Sequence, residues 1–476
     1  MLFDSDSRTA CPALAGLLLF LSAHAAAASI RHEEIAVEAP FPMPAIRVPV
    51  FPDRDFLVTD FGARPGEDAT DAVRRAVAAC HEAGGGRVVV PAGTWDTGPV
   101  HLRSGVNLHL AEGATLLFSA DPRDYLPAVQ TSWEGMECFN YSPLVYAFES
   151  ENVALTGKGR LEARMDVWRT WFARPEPHMH ALKMLYAMAS TDVPVAQRQM
   201  AVGENNLRPQ FVQFNRCRNV LIEDVTIRHS PFWTVHLLLC ESVVVRRIDI
   251  SAYGHNNDGI NPEMSRNVLV EDCRLDQGDD PFAIKAGRNR DAWRLGVPTE
   301  NIVIRRCTIN RGHQLAALGS ELSAGIRNVY IHDCTFENAD YRLQNVIFVK
   351  TNHRRGGFVE NVFVENIRAH EVRYSVLAIE TDVLYQWRSL VPTFEERLTT
   401  IRGITLRDVA VKQTGAQPFR LLGDARAPIA DVTLERIEVG TAHIARNRYE
   451  FAHDIREIDV RIGEILPEDP QAQRPR

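Results

Sequence analysis

None of the eight cysteines in this 476-residue chain forms a CxxC pair, and past residue 28 no apolar run is long enough to cross a membrane. No long 3.6-residue stripe separates its repeated segments either. The first absence removes the usual zinc and redox clusters. The second excludes a membrane span and the third the helical repeat folds. Cations are also in deficit: 53 Lys and Arg face 61 Asp and Glu, a net charge of −8. That balance argues against nucleic acid or an anionic membrane as partner.

What is present is a repeat. The segments Asn219–Ile227, Ser242–Ile250, Asn267–Leu275, Asn301–Ile309, Asn328–Phe336 and Asn361–Ala369 share one pattern, with weaker copies starting at Asn152, Gly403 and Asp431. Each is a short β-branched run with alternating polarity, which reads as a strand. The starts recur at intervals of 23 (219 to 242) to 42 (361 to 403) residues, the range of solenoids. An all-β, single-domain, right-handed parallel β-helix follows. Cys273, Cys307 and Cys334 fill a slot where other copies carry Val225, Ile248 and Ile367, and Cys217 and Cys240 share another. Cysteine there acts as a small hydrophobe in a buried ladder, and no disulfide framework is implied.

The rest of the chain is organised around that repeat. Residues 1–28 read as a signal peptide, with the apolar run Leu14–Leu21 followed by small residues that suit cleavage. A secreted or periplasmic location is expected. Residues 29–58 are proline-rich and extended, and Asp71–Ala83 reads as a helix capping the first coil. The catalytic solenoid spans 59–465, interrupted by an insertion at 160–209 with a helix near His178–Ala189; the pattern fades after Ile437, and 466–476 reads as a disordered tail.

Four motifs stand in order within the repeat: Asn256-Asn257-Asp258-Gly259, Gly278-Asp279-Asp280, Gly312-His313 and Lys350-Thr351. Any one alone would pass for an ordinary turn. Their register says more. Asp258 precedes Asp279 by 21 residues, about one short coil, while Asp280 and His313 lie 13 and 12 residues after their own repeat starts. With coils ~4.8 Å apart, the three aspartates should form a column. Paired carboxyls ~6.5–9.5 Å apart suit inverting hydrolysis of a glycosidic bond, and crowding raises at least one pKa as a general acid requires. Lys285, Arg288 and Arg290, and later Lys350, Arg354 and Arg355, offer local positive charge on an otherwise acidic chain.

These motifs, together with Asp60-Phe-Gly-Ala63, Gly84–Thr94, Gly98–Leu102, Trp133–Ser142 and Asn206-Leu-Arg-Pro209, resemble glycoside hydrolase family 28, the polygalacturonases, in its bacterial branch. The resemblance implies inverting hydrolysis of α-1,4-linked galacturonic acid in pectin, with Asp279 as the general acid. Asp258 and Asp280 would hold and deprotonate water, and His313 would tune the acid. Lys350 would bind the substrate carboxylate, with Asn257, Arg288 and Arg354 as further substrate contacts. No metal or cofactor is required, and a monomer acting on pectic polysaccharide or oligogalacturonides, exo-acting, is expected.

The chain departs from the family at Pro281 (usually Cys), Gln314 (usually Gly) and Phe348 (usually Arg). These departures leave rhamnogalacturonan hydrolysis as the rival within the family. Outside it stand a calcium-dependent pectate lyase-like enzyme and a non-catalytic glycan-binding β-helix.

Overall fold

The computed structural model describes residues 30–383 and 395–467. The export signal and most of the C-terminal tail lie outside those residues. The described chain winds as a right-handed parallel β-helix. Each coil contributes three strands, as in Val212–Asn215, Arg218–Glu223 and Thr226–Arg228. The first strands stack into an 11-stranded parallel sheet, and the second and third join in a 21-stranded one. Val, Ile and Leu point inward at alternate positions, for example Val235 stacked between Val212 and Ile260, and fill one continuous core.

Five of the repeat segments read as one strand are in fact two, and Asn361–Ala369 lies within the single strand Phe358–Val372. The five bend at their sixth residue, where Asp224, Arg247, Asp272, Arg306 and Asp333 all take left-handed φ between 52 and 64°. The inward positions slip by one residue at the bend, with Val220 and Ile222 before it and Val225 and Ile227 after it, so the alternation changes phase there. The repeat starts have a second left-handed turn: Asn152, Asn219, Ser242, Asn267, Asn301, Asn328, Asn361, Gly403 and Asp431 have φ of 52 to 68°. Asn and Gly are favoured there because they tolerate that region at least cost. The asparagines also join coil to coil, with the Asn301 amide donating to Asn267 at 2.9 Å and accepting from Asn328 at 2.9 Å.

Helix α1 (Thr70–Glu82) lays Ala72, Val73, Ala76, Val77 and Cys80 against the first coil strands. Residues 30–58, expected to be merely extended, form an antiparallel hairpin of Arg31–Ile35 and Ile46–Val50. Its apolar side covers an outward stripe of Ala154, Leu221, Val244, Leu269 and Val303. The insertion begins later than expected, because Arg160–Ala163 is still a coil strand paired with Thr226–Arg228. Helices α2 (Trp168–Trp171) and α3 (Glu176–Ser190) follow it. Coils also continue past Ile437, through Ile429–Ala442 to Ala452–Ile465; that last strand is largely exposed, which explains the faded pattern.

The ladder at the repeat starts can be tested by substitution. Asn301→Ala loses two amide hydrogen bonds and places a Cβ-bearing residue at φ 59°, a cost of roughly 2–4 kcal/mol. Asn301→Gly loses the same bonds without the backbone penalty. Thermal unfolding should therefore show a larger drop in Tm for Ala than for Gly, and equal drops would show that the left-handed backbone does not select asparagine here.

Candidate functional site

Three of the motifs meet at the entry to the 11-stranded sheet, where each coil turns from its third strand back to its first, and Lys350, which ends the strand Asn345–Lys350, reaches them with its side chain. Backbone hydrogen bonds set their register. Thr234 N–H donates to Asp258 O at 2.8 Å, Gly259 N–H to Asp280 O at 2.9 Å, and His313 N–H to Asp279 O at 3.0 Å. Asp258, Asp280 and Gln314 thus stand side by side on successive coils, as do Asp279 and His313. The motif glycines are needed because the coils touch. A Cβ on Gly278 would lie 2.5 Å from Gly254 N, and one on Gly312 would lie 2.3 Å from Pro281 Cδ. Pro281 therefore occupies the space that Gly312 leaves open.

Each aspartate has its own partner. Asp279 Oδ1 lies 2.9 Å from His313 Nδ1 and also accepts the Asp280 N–H at 3.0 Å. Asp280 is buried, with Oδ2 2.8 Å from Lys350 Nζ and Oδ1 accepting from Gln314 Nε2 at 2.9 Å. Gln314 in turn accepts from Asn345 Nδ2 at 3.1 Å, and Asn345 from the Ser375 N–H at 3.1 Å. The residue that departs from the family pattern is thus built into the support of a carboxylate. Asp258, 3% exposed, has Oδ2 3.3 Å from Lys285 Nζ. That ammonium also meets Glu321 at 3.1 Å and sits 4.4 Å above the Trp233 ring.

These surroundings separate the three acids electrostatically. Burial pushes the Asp258 carboxyl up to about 8; Lys285 opposes this, and Asp279 and Asp280 add to it. The close ion pair alone would argue for a low value, but Lys285 divides its charge between Asp258 and Glu321, so we take burial as the dominant effect. Burial likewise acts to raise Asp279, yet the charge and hydrogen bond of His313, with Lys350 and Lys285, outweigh it and hold the carboxyl below the usual range. The negative charge of Asp279 raises His313 to about 9 against the opposing effect of burial. One proton is therefore kept in the Asp279–His313 pair.

Two of the expected substrate contacts are buried structural groups. Asn257 has no exposed surface and donates to Ser230 O and Phe232 O at 2.8 and 3.0 Å, which fixes the loop carrying Asp258. The Arg288 side chain is 2% exposed and pairs with Glu134 at 3.1 Å and with Glu321. Sequence shows that both lie in loops but not which way their side chains turn. Arg355 is buried on Ser320 O and Asn289, and Arg290 pairs with Glu395 and Asp192. Arg354 lines a separate open hollow with Tyr186, Arg290, Trp293 and Glu395. None of the three aspartates lines that hollow.

Residues outside the motifs complete the wall. Arg208 is fully buried and donates to Pro231 O, His255 O and Asn256 Oδ1 at 2.9, 2.6 and 3.0 Å. Its guanidinium lies 4.9 Å from the Phe172 ring and 5.2 Å from Phe232. Burial lowers its pKa to about 9. Phe172, inside the insertion, presses on the Asp258 loop so closely that a Cβ on Gly254 would meet its Cε2 at 2.3 Å. Helix α3 packs with Trp133, Met136, Phe232 and Trp233 in a second apolar cluster behind Lys285. In the sequence this arrangement shows as Trp133–Ser142, the helix near His178–Ala189 and Asn206-Leu-Arg-Pro209, without their contacts.

Among the described residues, Asp279, Asp280 and His313 could bring one ligand atom each within 4.8 Å of the others, as a metal site requires. His313 and Lys350 already neutralise those carboxylates, so a cation there would have to compete with both. The cluster is better suited to moving protons than to holding a metal.

Comparison with known proteins agrees with this geometry. The model of the glycosyl hydrolases family 28 matches residues 197–450. A probable polygalacturonase of Vitis vinifera is 27% identical over 370 residues, covering 76% of this chain and 68% of that protein. An exo-poly-alpha-D-galacturonosidase of Dickeya chrysanthemi is 27% identical over 313 residues; the match covers 60% of this chain and spans 51% of that protein. The solved structure of an exopolygalacturonase from Thermotoga maritima superposes with a TM-score of 0.77 at 35% identity, covering 87% of this chain and 94% of that one. The family match over more than half of the chain, and a solved relative at this identity and coverage, lead to one conclusion: the chain belongs to glycosyl hydrolases family 28.

Proposed function

We propose that this glycoside hydrolase cleaves α-1,4-galacturonosyl linkages of polygalacturonate and oligogalacturonides, with inversion, by removing units from chain ends. The observation that carries the reading is the column of Asp258, Asp279 and Asp280, each beside a different basic side chain. Asp280 is the base. Lys350 and Gln314 hold it oriented, and it takes one proton from a water as the water oxygen bonds to the anomeric carbon. Asp258, which burial favours in its neutral form, orients that water. The glycosidic bond breaks as Asp279 gives its proton to the leaving oxygen, the proton being drawn from the His313 pair. Release of that proton from Asp280 and uptake by the pair close the cycle, with one water consumed.

Lys350 serves two partners. In the free site it holds Asp280, and a galacturonate carboxylate alongside would share its charge. The acidic pectic polymer is thus drawn in locally on a chain of net charge −8. Exo action is supported by the insertion, which folds over the catalytic loops through Phe172 and Arg208 and closes one side of the cleft. The Dickeya and Thermotoga relatives carry exo-acting names as well. A secreted or periplasmic location suits such a substrate and rests on the export signal read in residues 1–28.

Chromatography of products from polygalacturonate and rhamnogalacturonan tests the substrate, and release of rhamnose-containing fragments alone would redirect it. Asp279→Asn should lower kcat by roughly 10²–10⁴ with an unchanged circular dichroism spectrum; activity within tenfold of the wild type would remove the acid assignment. The pH dependence has a definite sign. The transferable proton of the Asp279–His313 pair is present below about 9 and lost above it, so kcat/KM should fall on that alkaline side. In His313→Ala the acid is a lone carboxyl, and the falling limb should move to lower pH; an unmoved limb would separate His313 from the acid. On polymer, viscosity should fall slowly relative to reducing-end release, whereas an early viscosity collapse would indicate internal cleavage.

A further inference from the structure

On the side of the site formed by Asp279 and His313, the cleft rim carries an exposed aromatic ring and an exposed guanidinium held together. Tyr253 is 45% exposed, among the few large apolar groups left so on the described surface. It follows the strand Asp249–Ala252, and its Cα lies 3.1 Å from where a Cβ on Gly278 would be, directly beside the Asp279 backbone. The Arg311 guanidinium carbon lies 5.3 Å from the centroid of the Tyr253 ring. The Arg311 side chain is 49% exposed, and its carboxylate neighbour, Asp276, stands 3.8 Å away.

Arg311 owes this position to an irregularity in the ladder. Leu275 pairs with Ile309, but Asp276 pairs with Arg311, so Asn310 is the extra residue of a bulge. Such bulges re-aim side chains beside active sites. Without it, Arg311 would fall out of step with Tyr253 and Asp276; with it, the arginine comes two residues before His313, on the rim. Asn310 is tied down by its own bond to Asp276 at 2.8 Å, which secures the bulge.

We propose that Arg311, held against Tyr253, is a carboxylate-reading subsite for the galacturonate unit on the leaving-group side of the cut. This deepens the polygalacturonase reading and rests on it. The general acid stands beside the leaving oxygen, so the sugar that departs lies on the Asp279–His313 side, where this pair sits. Cation–π contact holds the half-exposed guanidinium on the ring, and a uronate carboxylate can take two parallel hydrogen bonds from it. The loose contact with Asp276 is exchanged for the substrate. Tyr253 adds an apolar surface of the kind on which a pyranose ring packs.

The test compares substrates that differ only on that side. Digalacturonate offers a leaving unit with a carboxylate, and para-nitrophenyl galacturonide a leaving group without one. Arg311→Gln should lower kcat/KM about tenfold more on digalacturonate than on the aryl glycoside, the scale of one charge-assisted contact. Arg311→Lys should recover part of that difference, and Tyr253→Ala should show the same substrate bias while Tyr253→Phe shows little. Equal losses on the two substrates, or none on either, would overturn the subsite. A wild-type enzyme that leaves both galacturonides intact would instead overturn the polygalacturonase reading, so the two failures are distinct. Both side chains are exposed, and circular dichroism of each variant confirms that fold loss is not the cause.

Discussion

Backbone hydrogen bonding between parallel coils fixes every neighbour relation in this molecule. Strands about 4.8 Å apart bring the same position of successive coils into contact, so whatever one coil carries must suit the next. Apolar positions stack without difficulty, and asparagines stack because an amide both donates and accepts. Charges can stack only by alternating. Glu271 and Asp272 face Arg305 and Arg306, Asp224 faces Arg247, and Asp408 faces Arg436. Exposed pairs of this kind add little to stability individually, but each removes a repulsion that the stacking would otherwise impose.

The same rule governs the buried site, where the stakes are higher. Three carboxylates on neighbouring coils would repel strongly in a low dielectric without cations threaded between them. Lys285, His313 and Lys350 supply those charges, one per acid. Because each cation differs in its other partners, the acids differ in proton affinity. Lys285 is shared with Glu321, and Asp258 is pushed up; His313 is devoted to Asp279, which stays low. A division of labour among identical side chains thus comes from the identity of what sits between them.

The strongest sequence signals were positions where backbone geometry restricts residue choice. The Asn start of each repeat is visible because left-handed φ excludes most residues, and the motif column is visible because its spacing follows the coil. The bend inside the repeat segments shows only as a one-residue slip in the alternation, from Ile222 to Val225, which a reading of the segment as one alternating run passes over. Asn257 and Arg288 were legible as loop residues and not as buried ones: direction depends on packing from Phe232, Glu134 and Glu321, which lie far away in sequence. The contacts of Phe172 and Arg208 with the loop before Asp258 were out of reach for the same reason. An insertion has no period, and only its contact with Gly254 shows where it folds.

The N-terminal hairpin alters how the whole rod behaves. In a simple solenoid each coil leans only on the next, and an array of that kind can fray or open piecemeal. Here one strap runs across the outside of many coils, from Ala154 through Leu221, Val244 and Leu269 to Val303, with Phe41 and Phe363 rings 6.2 Å apart at its far end. Its binding stripe exists only once all those coils have formed. The strap therefore makes the central coils a single cooperative unit, and the catalytic column, which lies within that span, opens with all of it or not at all.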